Sequence, residues 1–251
     1  MFAPDSRIVE RVVPSPNHGE RRGIARPDML VLHYTGMPDT GMALEKLCDE
    51  ASGVSAHYFV FEHGGVVQLV PETRRAWHAG EASWAGETDI NSRSIGIEIA
   101  NPGHGWDYRD FPNVQIEAVI ALCRDVLTRQ PILPHRVLAH SDVAPTRKQD
   151  PGEKFPWGRL AAAGIGLWVE PEPIADDGPV LTMGDHGPKV DELQARLADC
   201  GYGIDVTGTY DALTRDVVAA FQRHFRPARV DGIADQSTLK TLARLCAAHG
   251  R

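Results

Sequence analysis

Apolar residues fall into three kinds of pattern along the chain, and each predicts a different element. Met29 to His33 is a short, nearly unbroken apolar run, as expected of a strand buried on both faces. Residues 57–62 (HYFVFE) and 65–70 (GVVQLV) read as two strands joined through His63-Gly64-Gly65, a hairpin signal. Residues 94–100 (SIGIEIA) alternate: Ile95, Ile97 and Ile99 face one side, Gly96, Glu98 and Ala100 the other. Between Pro112 and Pro131 the period changes. Ile116, Val119, Ile120, Cys123 and Leu127 recur at helical spacing, and the two prolines suit a helix start and stop. A further strand is expected at 136–140 (RVLAH). The fold class is therefore α/β, a mixed central β-sheet flanked by helices.

The pattern breaks at residues 169–180 (VEPEPIADDGPV), where three prolines, four acids and no period mark a linker. The expected organisation is thus a block at 1–168, a linker at 169–180 and a small three-helix domain at 181–251. The last block holds a repeat: Val206-x-Gly208-x-x-Asp211-x-x-Thr214 returns 24 residues later as Val230-x-Gly232-x-x-Asp235-x-x-Thr238. Each glycine permits a tight turn, and each Asp is placed to cap the helix that follows. No acids, bases or metal ligands gather here, which points to a binding module.

Composition narrows the function classes. A formal charge of -8 and the lack of a basic run exclude a protein that coats nucleic acid. No stretch approaches the ~20 apolar residues needed to span a bilayer. The first residues lack a secretory-type apolar segment, so a cytoplasmic location is expected, with the envelope as the alternative. The four cysteines are widely spaced and read as small, reduced, buried residues.

Among the eleven histidines, His33 and His140 stand out because each closes an expected strand, and Asp150 follows His140 by ten residues. Glu98 sits mid-strand, flanked on its own face only by Gly96 and Ala100, a costly place for a carboxylate without a partner or a task. Spacing alone leaves two readings open, a metal site or satisfied polar residues at a sheet edge.

Four local words add to this: LVLHYTG at 30–36, VSAHYFVF at 54–61, IGIEIAN at 95–101 and AHSDVAPTRKQDPG at 139–152. In this order they resemble the zinc-dependent N-acetylmuramoyl-L-alanine amidases, the group that includes peptidoglycan recognition proteins and T7-type lysozyme. The resemblance spans about residues 10–165 and is nearest to the AmpD-like amidases of peptidoglycan recycling. The C-terminal words LTMGDHGPKVDELQ, VTGTYDALT, AAFQRHF and VDGIADQSTL resemble the three-helix peptidoglycan-binding domain. The resemblance implies zinc (Zn2+) held by His33, His140 and Asp150, with Glu98 as general base and Lys148 stabilising the oxyanion. It also implies contacts to the substrate from Tyr58, Trp77, His78, Asn101 and Arg147, whose competing readings are strand packing for Tyr58, loop packing for Trp77 and His78, and a solvated surface for Arg147. His57 alternates away from Tyr58, so both cannot face the metal, and His57 is read as structural. The implied partner is peptidoglycan or a soluble muropeptide, and the implied reaction is hydrolysis of the lactyl–L-alanine amide. The alternative is a sensor or adaptor that binds the polymer without cutting it. Residues 1–168 alone are expected to retain hydrolysis of soluble muropeptides.

Overall fold

The structure, a computed structural model, describes residues 2–175 and 178–249; Asp176 and Asp177 of the expected linker lie outside the described residues. In the first block, strands β1 (Arg11–Val12), β2 (His18–Glu20) and β3 (Met29–Tyr34) precede helix α1 (Thr40–Cys48), whose N-terminus is capped by Asp39 accepting from the Met42 amide. Strands β4 (Tyr58–Val60), β5 (Val66–Gln68) and β6 (Arg74–Ala76) lead to the short helix α2 (Ile90–Arg93) and then β7 (Ser94–Ile99). Helix α3 (Asn113–Arg129) begins after Pro112 and stops before Pro131, as the prolines predict. Next come β8 (Val137–Ala139), the single-turn α4 (His140–Val143) and α5 (Trp157–Ala162).

Among the described residues, six strands form one sheet in the order β1-β5-β4-β7-β3-β8, and β2 and β6 form a separate antiparallel pair. β3 lies between β7 and β8 and runs parallel to both, while β4 runs parallel to β7 and antiparallel to β5. This is the expected mixed sheet. Strand alternation sorts its two faces. Leu30, Leu32, Tyr58, Ile95, Ile97 and Ile99 pack beneath α3 and α5. Met29, Val31 and Phe59 point the other way, as do His33 and Glu98 by the same alternation.

The C-terminal block contains α6 (Pro188–Asp199), α7 (Ala212–Phe225) and α8 (Gln236–His249). Both repeat glycines have positive φ, +66° at Gly208 and +68° at Gly232. Asp211 and Asp235 accept from the amides of Thr214 and Thr238 at 2.8 and 2.7 Å. Each turn is also tied to the preceding helix by a buried glutamine. Gln194 accepts from the amides of Thr207 and Gly208, and Gln222 from those of Asp231 and Gly232.

This block does not stand clear of the sheet. Met29, Val31, Leu138 and Val143 share one apolar core with Val190, Leu193, Val217, Phe221 and Leu242. No helix among the described residues is long and apolar enough to cross a membrane.

Candidate active site

The sheet's parallel strands end together, and their C-terminal ends carry the chemistry. His33 is next to last in β3 and Glu98 next to last in β7, and strand register pairs the two. His140 follows β8 directly. It opens α4 rather than closing the strand as expected, because the Ala139 amide turns to the Asp142 carboxylate at 2.8 Å. The loop beyond α4 returns Asp150 to both histidines.

His33 Nδ1 lies 2.9 Å from His140 Nδ1 and 3.1 Å from Asp150 Oδ2, and His140 Nδ1 lies 2.9 Å from the same oxygen. All three residues are buried. Protons on the far nitrogens decide what this triangle is. His140 Nε2 meets the Ala79 carbonyl at 3.1 Å, and a carbonyl only accepts, so the proton sits on Nε2. The Ser94 hydroxyl donates to the Ile90 carbonyl, so it accepts from His78 Nε2, leaving His78 Nδ1 to accept from His33 Nε2 at 3.0 Å. Burial, then the neighbouring His140, lowers the His33 pKa to about 4, so it carries one proton near neutrality. That proton is already placed on Nε2.

With both imidazoles neutral, two bare ring nitrogens and a carboxylate oxygen converge on one point. Left alone, such lone pairs repel; a cation resolves them. Zinc at ordinary N and O ligand distances would separate its ligands by about 3.3 Å, a few tenths of an ångström wider than here. The donor set fits a divalent metal.

His140 and Asp150 line a cleft of about 280 Å³ together with Glu98, Lys148, Trp77, Tyr34, Lys46 and Ser55, among others, and His33 lies against both of them. Glu98 Oε2 is out of solvent and has no hydrogen-bond partner among the described residues. Burial, then the nearby Asp150, pushes its carboxyl well above the usual range, while Lys148 and Lys46 pull it back. Gly96 is small for a packing reason. A Cβ there would meet the His78 ring at 2.5 Å.

Trp77 and Lys148 are in the cleft where the resemblance puts them. His78 touches it too, but its ring nitrogens are both used between His33 and Ser94, so its task is holding His33. One expected substrate contact is corrected. Tyr58 faces the opposite side of the sheet, fully buried in the main core, with its hydroxyl donating to Glu72 at 2.6 Å. It is the packed strand aromatic. His57 takes the site's side, its ring 5.8 Å from that of His78. Asn101 has its amide occupied by its own loop, donating to the Arg109 carbonyl and accepting from the Gly103 amide. Arg147 donates to the Ala79 and Glu81 carbonyls, bracing the loop whose Ala79 oxygen also receives the His140 proton. Sequence reasoning missed Tyr34, Lys46 and Ser55. Tyr34 adjoins His33, so strict alternation assigns it away from the cleft; Lys46 looks like any helix-surface lysine.

Residues 24–153 match the N-acetylmuramoyl-L-alanine amidase family and residues 186–242 a peptidoglycan-binding domain. The chain is 38% identical over 244 residues to the Escherichia coli N-acetylmuramoyl-L-alanine amidase AmiD, covering 90% of this chain and 84% of the relative. It is 34% identical over 169 residues to the Enterobacter cloacae 1,6-anhydro-N-acetylmuramyl-L-alanine amidase AmpD, covering 61% of this chain and 88% of that one. The solved structure of AmiD, in complex with anhydro-N-acetylmuramic acid-L-Ala-D-gamma-Glu-L-Lys, superposes with a TM-score of 0.76 at 34% identity, covering 93% of this chain and 98% of that one. AmpDh3 from Pseudomonas aeruginosa does so at 0.74 and 29% identity, with 100% of each covered.

Proposed function

The chain belongs to the N-acetylmuramoyl-L-alanine amidase family, and from this premise we propose that it hydrolyses the lactyl–L-alanine amide of anhydromuramyl peptides at a zinc ion held by His33, His140 and Asp150. The observation that carries the proposal is the convergence of His33 Nδ1, His140 Nδ1 and Asp150 Oδ2, each within 3.1 Å of the other two. Two neutral imidazoles and one carboxylate form the open donor set of a catalytic zinc site. Zinc, when bound, supplies Lewis acidity that polarises a carbonyl and makes water more acidic.

The chain's own residues do the rest. The Glu98 carboxylate, which lines the cleft and has Oε2 unpartnered among the described residues, takes the proton of the attacking water and returns it to the departing alanine nitrogen. Its raised affinity for that proton suits the second half of the task as well as the first. The Lys148 ammonium offers positive charge to the oxygen on which negative charge develops. Trp77 and Tyr34 wall the cleft and hold the sugar–peptide junction. A sensor that binds without cutting has no use for the unpartnered Glu98 carboxylate.

Incubating the zinc-loaded protein with anhydromuramyl-L-Ala-D-γ-Glu-L-Lys and weighing the products tests this directly. Free anhydromuramic acid and an intact tripeptide are expected; cleavage at any other bond, or undiminished cleavage by metal-stripped protein, overturns it. Cytoplasmic residence, and with it recycling of soluble muropeptides, belongs to the same proposal. Recovery of the natural gene product from the envelope fraction would remove that part and leave the chemistry standing.

A further inference from the structure

A second hollow, of about 240 Å³, lies between the 145–149 loop and α7 of the C-terminal block. Four cationic residues line it, Arg147, Lys148, Arg215 and Arg223, against one carboxylate, Asp216. The whole chain carries -8, so this concentration runs against the sign of the molecule. A charge focus of that kind draws anions. Two observations join it to the catalytic cleft. Lys148 lines both, and Arg223 lies within electrostatic reach of Tyr34 in the cleft wall. Arg223 is also incompletely used: its Nε is buried without a partner among the described residues. Asp216, in the hollow itself, is taken up by the Arg215 fork at 2.7 Å, and Glu153 meets His104 at 3.0 Å.

We propose that this hollow is a carboxylate subsite for the stem peptide, with Arg223 of the C-terminal block as its anion-binding group and Arg215, paired to Asp216, offsetting the hollow's one carboxylate. The inference rests on the amidase reading. A γ-linked glutamate leaves its α-carboxylate free one residue beyond the scissile amide, and the peptide's terminal carboxylate follows. Guanidinium forks suit either anion. The C-terminal block then does more than hold a polymer. It takes part in recognising the peptide being cut.

The test compares kcat and KM of the zinc-loaded full chain on anhydromuramyl-L-Ala-D-γ-Glu-L-Lys, on the same peptide amidated at the glutamate α-carboxyl, and on one amidated at the terminus. The wild-type protein is expected to prefer the free acid to one of the two amidated forms by about tenfold, expressed in KM, and the form disfavoured identifies the carboxylate bound. Arg223→Gln is expected to bring that preference near one, and Arg223→Lys to restore part of it. Arg215→Gln, at an exposed position, gives the same trend should Arg223→Gln fail to fold. Equal cleavage of all three peptides by the wild-type protein sinks the subsite alone. An undiminished preference in both glutamine variants does the same, whereas failure to cleave any peptide sinks the amidase reading and this one with it.

Discussion

The position of single protons distinguishes a metal centre here from a knot of buried histidines. In their neutral forms His33 and His140 each place their one proton on the side facing away from Asp150. His78 holds the first of these arrangements, so His78→Phe, which removes the acceptor, is expected to weaken zinc binding about 10- to 100-fold. Titration against a zinc chelator measures it; unchanged affinity would remove His78 from this role. His33→Ala and Asp150→Ala are expected to lose both zinc and activity. Glu98→Ala should keep stoichiometric zinc yet turn over at least ~100-fold more slowly, as expected on loss of a general base. Metal analysis beside single-turnover rates separates the two outcomes, and a fast Glu98→Ala enzyme would end the assignment. The pH profile has a definite sign. Glu98 works as a base only after losing its proton, and burial followed by Asp150 raises its pKa, so activity climbs with pH through a range above ordinary carboxylates. Lys148 lowers that pKa. Lys148→Gln should therefore move the acidic limb of kcat/KM to higher pH, with Lys148→Arg leaving it in place; a limb displaced downward contradicts the coupling.

Elements place these groups through alternation and small residues. Gly96 exists on β7 because the His78 ring fills the space of its side chain. Gly96→Ala pushes a Cβ to 2.5 Å from a ring already fixed at both nitrogens. A lower melting temperature together with weaker zinc binding is expected, and a variant matching wild type in both would refute the packing account. This also shows where the sequence was legible. Period-two alternation placed Glu98 with Gly96 and Ala100 and kept Tyr58 and His57 on opposite faces, and the sheet keeps both assignments, its register then setting His33 beside Glu98. Local words could not say which of Tyr58 and His57 faced the metal, because that depends on how neighbouring strands line up. The tasks of Asn101 and Arg147 were illegible for the same reason: each is set by backbone carbonyls and amides brought in from loops. The repeat fared better, since its glycines and capping acids act within a few residues of themselves.

At the scale of the whole molecule, the C-terminal block holds the element that carries His140. Asp142 of α4 is buried and accepts from His224 at 2.7 Å and Tyr202 at 2.9 Å, both from the C-terminal block, as well as from the Ala139 amide. The His224 ring also stacks on Trp157 of the first block at 3.8 Å. AmpD relatives match only about three-fifths of this chain, so an amidase need not carry such a block; the dependence arises from residues of this chain. Cutting after residue 168 would uncover Met29, Val31, Leu138 and Val143 and strip a buried carboxylate of two donors. An unsatisfied buried group costs about 1–3 kcal/mol, before any loss of apolar contact. Contrary to what the sequence alone suggests, residues 1–168 should melt well below the full chain and hydrolyse even soluble anhydromuramyl tripeptide poorly. The milder Tyr202→Phe variant removes one donor and keeps the apolar cover, so it should lose about 1–3 kcal/mol of stability while retaining the fold. Denaturant unfolding and tripeptide kinetics on both proteins decide the matter. If the truncated chain matches the full one in melting temperature and kcat/KM, the block is a detachable targeting module after all, and its grip on α4 carries no weight in catalysis.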